Sequence, residues 1–468
     1  MEKVVEFLNS INTFAYGYYL VGLLIIVSVF YSFKLKFVQV TMLKEGLRVI
    51  AEKPDGKSDA LSSFQALAIS VASRVGIGNI AGIAVAVMAG GAGSIFWMWV
   101  MAFFGGASAF AESTLAQIYK SHDGNGFKGG PAYYMQKALN QRWLGILFAI
   151  ILILTYAFGF NGLQSYTMTS AFAVYYHNPD GFEQSHWTII IGLFSSVIAA
   201  LLFFGKSSLI GKINAYIVPA MALFYIALAL IVTFMNLHLL PEVLSNIFAK
   251  AFDFKAIFGG FAGSAVVIGI KRGLFATEAG MGSAPNAAAS AHTSHPVKQG
   301  LVQAISVLIG ILICSSTAFL VLFSQAYFEG RTTALPLVQK AMGEFFGSWG
   351  LHFVSIAVVC FAITSLLGNY YYAQANIKYL TNSKLVMWIF NALAVAMVFI
   401  GSQMNLKLAW ELADVLMAVM ATLNIIAILL LSHIVKIALK DYLEQRKKGI
   451  EPKFDPKKLG IKNTECWE

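Results

Sequence analysis

Charge is scarce in this chain. Charged side chains make up 12% of its 468 residues, where a typical soluble domain carries about 25%. Hydrophobic residues reach 58% and the mean hydropathy is +0.70, so a water-soluble fold is excluded and an integral membrane protein is expected. Cysteine is nearly absent. Cys314 and Cys360 lie in apolar stretches and Cys466 in a basic tail, which excludes a disulfide framework and gives no metal cluster. The eight histidines fall mostly in loops or at span ends, and His292 and His295 are close without a His-Glu-x-x-His pattern. Gly-x-Ser-x-Gly is missing too, so nothing points to a membrane enzyme. The N-terminus "MEKVVEFLNSINTF" has acidic residues and no basic leader segment, so no cleavable signal peptide is expected.

What the chain has in abundance is long apolar runs. A spanning helix needs roughly 20 mostly apolar residues. Eleven candidates run over 16–33, 64–89, 92–118, 143–176, 187–204, 213–235, 257–291, 299–327, 350–379, 385–401 and 408–435. Alternate loops (34–57, 120–142, 205–212, Lys298, Lys378 with Lys384, and the tail from 436) hold 24 of the 33 Lys and Arg, and the opposite set (Lys3, Lys250, Lys255, Arg331, Lys340, Lys407) holds 6. By the positive-inside rule the N-terminus is outside and the C-terminus cytoplasmic in a multi-pass cell-membrane protein. The net charge of +10 is thus a topology signal and not a nucleic-acid patch. The basic tail reads as a solvated anchor.

The remaining three cations, Arg74, Lys271 and Arg272, stand inside apolar runs. "SRVGIGN" (73–79) interrupts the second span. "KRGLFATEAGMGSAPN" (271–286) interrupts the seventh in the same way, with Gly76 and Gly273 lying 197 positions apart. Bare backbone in hydrocarbon costs several kcal/mol per group, so it is tolerated only against protein or a cavity. With the first helix set aside, the two breaks open two groups of five spans. Five is odd, so the copies are inverted. Such paired discontinuous helices mark a secondary transporter's binding site. The amides freed at the start of the second half-helix suit an anion, and the carbonyls freed at the end of the first suit a cation.

"SRVGIGNIAG", "GGAGSIFWMWVMAFFG", "GGPAYYMQKAL", "NGLQSYTM", "RGLFATEAGMGSAPNAAA" and "AITSLLGNYYYAQANI" occur in this order. Over residues 60 to 430 the chain resembles the alanine or glycine:cation symporter family of prokaryotes. The resemblance implies an all-α membrane fold with eleven transmembrane helices. These would be an N-terminal helix (within 1–60) and a five-plus-five inverted repeat (61–235 and 257–435) of the neurotransmitter:sodium symporter type. An extracellular connector (236–256) would join the repeats, and the basic tail (436–468) would follow them. It implies cotransport of a small neutral amino acid with sodium, with no cofactor beyond the coupling ion.

Chemistry and resemblance together assign roles. Amides of Gly76, Gly78 and Asn79 would hold the substrate carboxylate. Gln164 would bond carboxylate or ammonium, or serve as a buried interhelical amide, and Phe275 would wall the pocket. Sodium would take oxygens of Ala72, Val75, Phe361, Thr364 and Ser365, with Thr364 and Asn369 also facing the substrate. Ser94 stands where the family signature has Gly or Ala; many family members carry Trp at the position of Asn369 and Glu at Gln374, so the accepted side chain is left open between alanine or glycine and serine or glutamine. Glu112, Glu411 and Asp414 read as span-end or interhelical groups. Arg74, Lys271, Arg272 and Glu278 read as gating or structural ion pairs. A channel is disfavoured because a filter normally needs several repeated loops. Proton coupling is disfavoured because neither 72–79 nor 361–369 holds a carboxylate.

Overall fold

The computed structural model describes residues 2–467 except 53–60, 178, 206, 254–263, 331 and 333. The start of the seventh expected span (257–263) and the loop cations Lys53, Lys57, Lys206, Lys255 and Arg331 lie outside the described residues. The fold is all-α apart from one short hairpin, Ser121–Asp123 with Gly126–Lys128. In chain order the helices used below are α1 (Glu2–Lys34), α2 (Leu43–Ile50), α3 (Ser63–Arg74), α4 (Ile77–Gly90), α5 (Gly93–Ile118), α6 (Arg142–Tyr175), α7 (His186–Phe203), α8 (Ser207–Met235) and α9 (Leu240–Ala251). They continue with α10 (Ala265–Thr277), α11 (Pro296–Leu322), α12 (Ala334–Leu380), α13 (Lys384–Ser402), α14 (Leu406–Leu430) and α15 (Ser432–Lys447).

Among the described residues eight helices are long and apolar enough to cross a membrane, and ten if each of two bent pairs is one span. Outer faces are apolar: on α7, Phe194 and Leu201 are 68% and 72% exposed. Such a surface is unstable in water and suits hydrocarbon. The centre is α5, packed between α10 and α11 through small residues. A Cβ on Gly273 would come 3.1 Å from Met101 Cβ, so Gly273 is a packing glycine inside α10.

That observation corrects one expectation. The first break lies where the glycines place it: α3 ends at Arg74, α4 starts at Ile77, and the two diverge by 58°. The second does not start at Lys271–Gly273, which are helical. It starts at Glu278, whose φ is 51°, and continues through Gly280 and Gly282 at 84° and 85° to a short helix, Pro285–Ala289. Left-handed backbone at two alternate positions excludes ordinary L side chains, so these glycines make the break. The ninth expected span also differs. Helix α12 begins at Ala334, sixteen residues earlier than expected, with Gly347 (φ 64°) as an internal kink. A π-helical stretch, Leu154–Phe160, widens α6 immediately before Asn161, re-aiming the following turn towards the first break.

The tail is not a solvated anchor. Residues 449–467 fold back onto the end of the molecule that carries α2, with Phe454 and Ile461 buried. Phe454 N donates to Ser294 O (3.0 Å) and Trp467 Nε1 to Gln117 O (2.9 Å). Glu45 anchors a charge cluster there. Burial pulls its carboxyl up, but hydrogen bonds from Arg48 and Tyr442 and the Arg48 and Arg446 charges outweigh it and hold the pKa at about 2.

His295 caps α11 at the same surface. Its Nδ1 accepts from Val297 N (3.2 Å) and its Nε2 faces Asp441 Oδ2 (3.3 Å), a geometry that uses the neutral ring. Burial first, and the Lys298 charge second, push its pKa down to about 3. The unfolded value is about 6.5. Between the two the unfolded state binds more protons, so stability from this site is present above pH ~6.5 and is lost as pH falls. We expect the thermal midpoint to drop between pH 7 and 5, and His295→Gln to flatten that drop. An unchanged pH slope in His295→Gln would remove His295 as its source.

Candidate functional site

Unwinding at Val75–Gly76 leaves backbone groups without helical partners. Gly76 is extended (φ −132°, ψ −152°), and the next bond in the chain is Asn79 N to Gly76 O (3.2 Å). The amides of Gly76, Ile77 and Gly78 therefore have no acceptor among the described residues. Neither does Val75 O have a donor. Buried backbone groups are almost always paired, so this cluster is the strongest local sign of a ligand.

Side chains converge on it. A Cβ on Gly76 would overlap Ser365 Oγ and lie 3.1 Å from Gln164 Nε2. Gln164 is buried, and its Oε1 has no partner among the described residues. A Cβ on Gly78 would run into the Phe275 ring. That ring is held by Phe160 (centroids 4.8 Å apart) and Trp410 (5.3 Å), and the buried Trp410 Nε1 also lacks a partner. Unpaired donors thus sit near unpaired acceptors beside a cluster of three aromatic rings, a combination of groups that suits a zwitterion with a small apolar side chain.

Asn79 faces elsewhere. Its amide serves Gly76, its Nδ2 donates to Gly310 O (3.1 Å), and its carbonyl accepts from Thr317 Oγ1 (2.8 Å). It pins α4 to α11. Of the oxygens expected around sodium, Ser365 and Ala72 meet directly, with Ser365 Oγ donating to Ala72 O at 2.9 Å. Thr364 Oγ1 bonds its own helix at Phe361 O (3.0 Å) and Cys360 O (3.1 Å), as hydroxyls in helices often do.

Asn369 joins a hydrogen-bond network. Its Nδ2 donates to Asn161 Oδ1 (3.0 Å) and its Oδ1 accepts from Ser73 Oγ (3.1 Å). Ser73 Oγ also lies 2.8 Å from Glu278 Oε1, and Ser283 Oγ donates to Glu278 Oε2 (2.7 Å). Arg74 Nε is 3.9 Å from Glu278 Oε2, both side chains being almost wholly buried. The last residue before one break thereby pairs with the first residue of the other. The 72–79 segment holds no carboxylate of its own, but Glu278, immediately after α10, brings one to Ser73.

Glu112 makes interhelical contacts, one of the two expected readings. It is fully buried and accepts from Gly280 N (3.3 Å), Gly282 N (3.0 Å) and Asn424 Nδ2 (2.7 Å). It caps the second break, much as a side chain caps a helix end. Asp414 accepts from Arg272 (2.5 Å) and Lys271 (2.7 Å), and Arg272 lies 4.1 Å over the Trp410 ring. These cations therefore tie α10 to α14 one turn from Phe275. Glu411 accepts from Asn12 (2.5 Å), fastening α1. Sequence reasoning missed Trp410, Phe160 and Asn161. For Trp410 the available signal was an indole inside an apolar run.

Comparison with known proteins identifies the family. The model of the sodium:alanine symporter family matches residues 1–456. A probable sodium/glutamine symporter of Bacillus subtilis is 45% identical over 471 residues, covering 100% of this chain and 97% of that protein. A putative sodium/proton-dependent alanine carrier of the same organism is 40% identical, covering 99% and 97%. A sodium/alanine symporter of Methanococcus maripaludis is 36% identical, covering 95% and 98%. With the match running across nearly the whole chain and two broken helices meeting at its centre, this protein belongs to the sodium:alanine symporter family.

Proposed function

We propose that the chain carries a small neutral amino acid into the cell together with sodium, by alternating access, through eleven spanning helices in a lipid bilayer. The N-terminal helix (within 1–60) precedes two inverted five-helix repeats, 61–235 and 257–435, joined by an extracellular connector, 236–256. The tail, 436–468, is cytoplasmic. One observation carries the reading: the Gly76, Ile77 and Gly78 amides are unpaired among the described residues, Gln164 and Ser365 both approach Gly76, and Ser365 Oγ meets Ala72 O. The amides receive the carboxylate, Gln164 Oε1 the ammonium, and Phe160, Phe275 and Trp410 enclose the side chain. Sodium replaces the Ser365 proton as partner of Ala72 O, with Val75 O, Phe361 O and Thr364 Oγ1 completing the shell. Alanine and glycine suit the enclosure. The 45% identical relative named for glutamine supports testing larger neutral side chains.

A second reading has its own observation. Glu278 brings a carboxylate to Ser73, at the first break, and a relative is named as a sodium/proton-dependent carrier. A proton would then join sodium as a coupling ion.

Uptake of labelled alanine, glycine, serine and glutamine into proteoliposomes, under imposed sodium or proton gradients, tests both. Sodium-independent uptake would overturn the first reading. Within it, Ser365→Ala should raise the sodium needed for half-maximal uptake. The loss of one buried ligand costs about 1–3 kcal/mol, roughly five- to 150-fold. Unchanged sodium dependence in both Ser365→Ala and Thr364→Ala would move the ion elsewhere.

A further inference from the structure

We infer that residues 449–467 form a latch that holds the cytoplasmic end of the first broken helix closed. Helix α3 is hung at its start on the 290–299 segment. Leu61 N donates to Ser290 O (3.2 Å), His292 N to Leu61 O (3.0 Å), and Gln299 Nε2 to Ser63 Oγ (2.9 Å). The Ser62–Gln65 capping box then sets the helix direction. For substrate to leave from the Gly76–Gly78 cluster to the cytoplasm, this junction must part.

The tail staples the junction to elements that stay together. On one side Phe454 N bonds Ser294 O, and its ring packs 5.2 Å from His295. Glu451 pairs with Lys298 (2.5 Å), at the start of α11, and lies 3.7 Å from Arg48, in α2. On the other side Trp467 Nε1 bonds Gln117 O at the end of α5, with the Lys120 ammonium 4.5 Å over its ring. Asn463 Nδ2 donates to Lys137 O (2.9 Å), and Glu465 pairs with Lys137 (2.9 Å). Phe454 and Trp467 meet at 5.2 Å, closing the strap.

The strap crosses a cavity of about 290 Å³ bordered by Lys120, Phe127, Thr293, Phe454 and Trp467. Its attachment combines these hydrogen bonds and ion pairs with a few separate apolar anchors, Phe454 and Ile461 buried and Leu459 and Trp467 partly so. Removing such anchors is expected to let the strap open ahead of the helices beneath it. Glu451 and Glu465 also make the latch responsive to charge. The hydrogen bond and charge of Lys298 outweigh burial and lower the Glu451 pKa, and Lys137 leads the groups that do the same for Glu465.

The latch rests on the alternating-access reading only for where the exit lies, and its test needs no substrate. Hydrogen–deuterium exchange would be followed in the full-length protein and in Glu451→Gln/Phe454→Ala/Trp467→Ala, both in detergent with sodium. We expect exchange in 61–66 and 290–295 to rise about fivefold or more, together with the tail. Phe454→Leu, which keeps an apolar anchor, should stay near wild type. Faster exchange confined to the tail would overturn the latch, and so would unchanged exchange throughout, because these side chains would then not hold the strap. Sodium-driven uptake measured in parallel separates the two ideas. Absent uptake in both proteins with the exchange pattern intact would count against transport and leave the latch standing.

Discussion

Gly78→Ala is expected to abolish amino-acid binding in a protein that still folds. Ala favours helix over Gly by about 1 kcal/mol, so the substitution does not threaten α4. The added methyl meets the Phe275 ring, whose room to shift is limited by its contacts with Phe160 and Trp410. Either the ring tilts into the enclosure or the 76–78 segment withdraws from the carboxylate. Hydrogen bonds to a charged group are worth about 1.5–3 kcal/mol each, so losing two of them weakens binding roughly a hundredfold or more. Calorimetry on monodisperse protein would measure it. Gly78→Ala with Phe275→Leu should recover part of the affinity by restoring space. Wild-type affinity in Gly78→Ala alone would reject the carboxylate cradle and leave Gly78 as a packing residue.

The second large effect is expected at Arg74 and Glu278. Arg74 stays protonated in proteins and is buried at 1% exposure. It bonds Ser306 Oγ and, at 3.4 Å, Gln303 O, both neutral, and Glu278 at 3.9 Å is the carboxylate it pairs with among the described residues. Removing one member of a buried pair leaves the other uncompensated, at a cost of about 3–5 kcal/mol. Glu278→Ala and Arg74→Ala should each sharply lower the thermal midpoint and eliminate uptake. Arg74→Gln/Glu278→Gln removes both charges and should regain most of the stability, yet not transport, because the link between the breaks is gone. A double variant as unstable as the sum of the singles would show that the two residues act independently.

The two breaks were unequally legible. At Gly76 the signal is local: a charge and two glycines inside an apolar run place the unwound turn where it is found. At the second break the same kind of signal begins at Lys271, but Lys271 and Arg272 both pair with Asp414 on α14 and Gly273 is used for contact with α5. The helix therefore continues to Thr277, and Glu112 accepts the amides freed at Gly280 and Gly282. Thr364 and Ser365 are adjacent hydroxyls that the sequence treats alike. Only Ser365 faces α3, because neighbouring residues on a helix point about 100° apart.

By itself the sequence determined the membrane class, most span positions, the first break and the family. Each depends on composition or on residues near one another along the chain. Tertiary structure alone decided which charges meet, where the second helix breaks, how Asn369 is used and where the tail lies. Ser73 and Glu278 are 205 positions apart, and Trp467 reaches Gln117 across 350. Pairing at such distances depends on how helices pack and on which buried charge lacks a partner, and no local pattern encodes that.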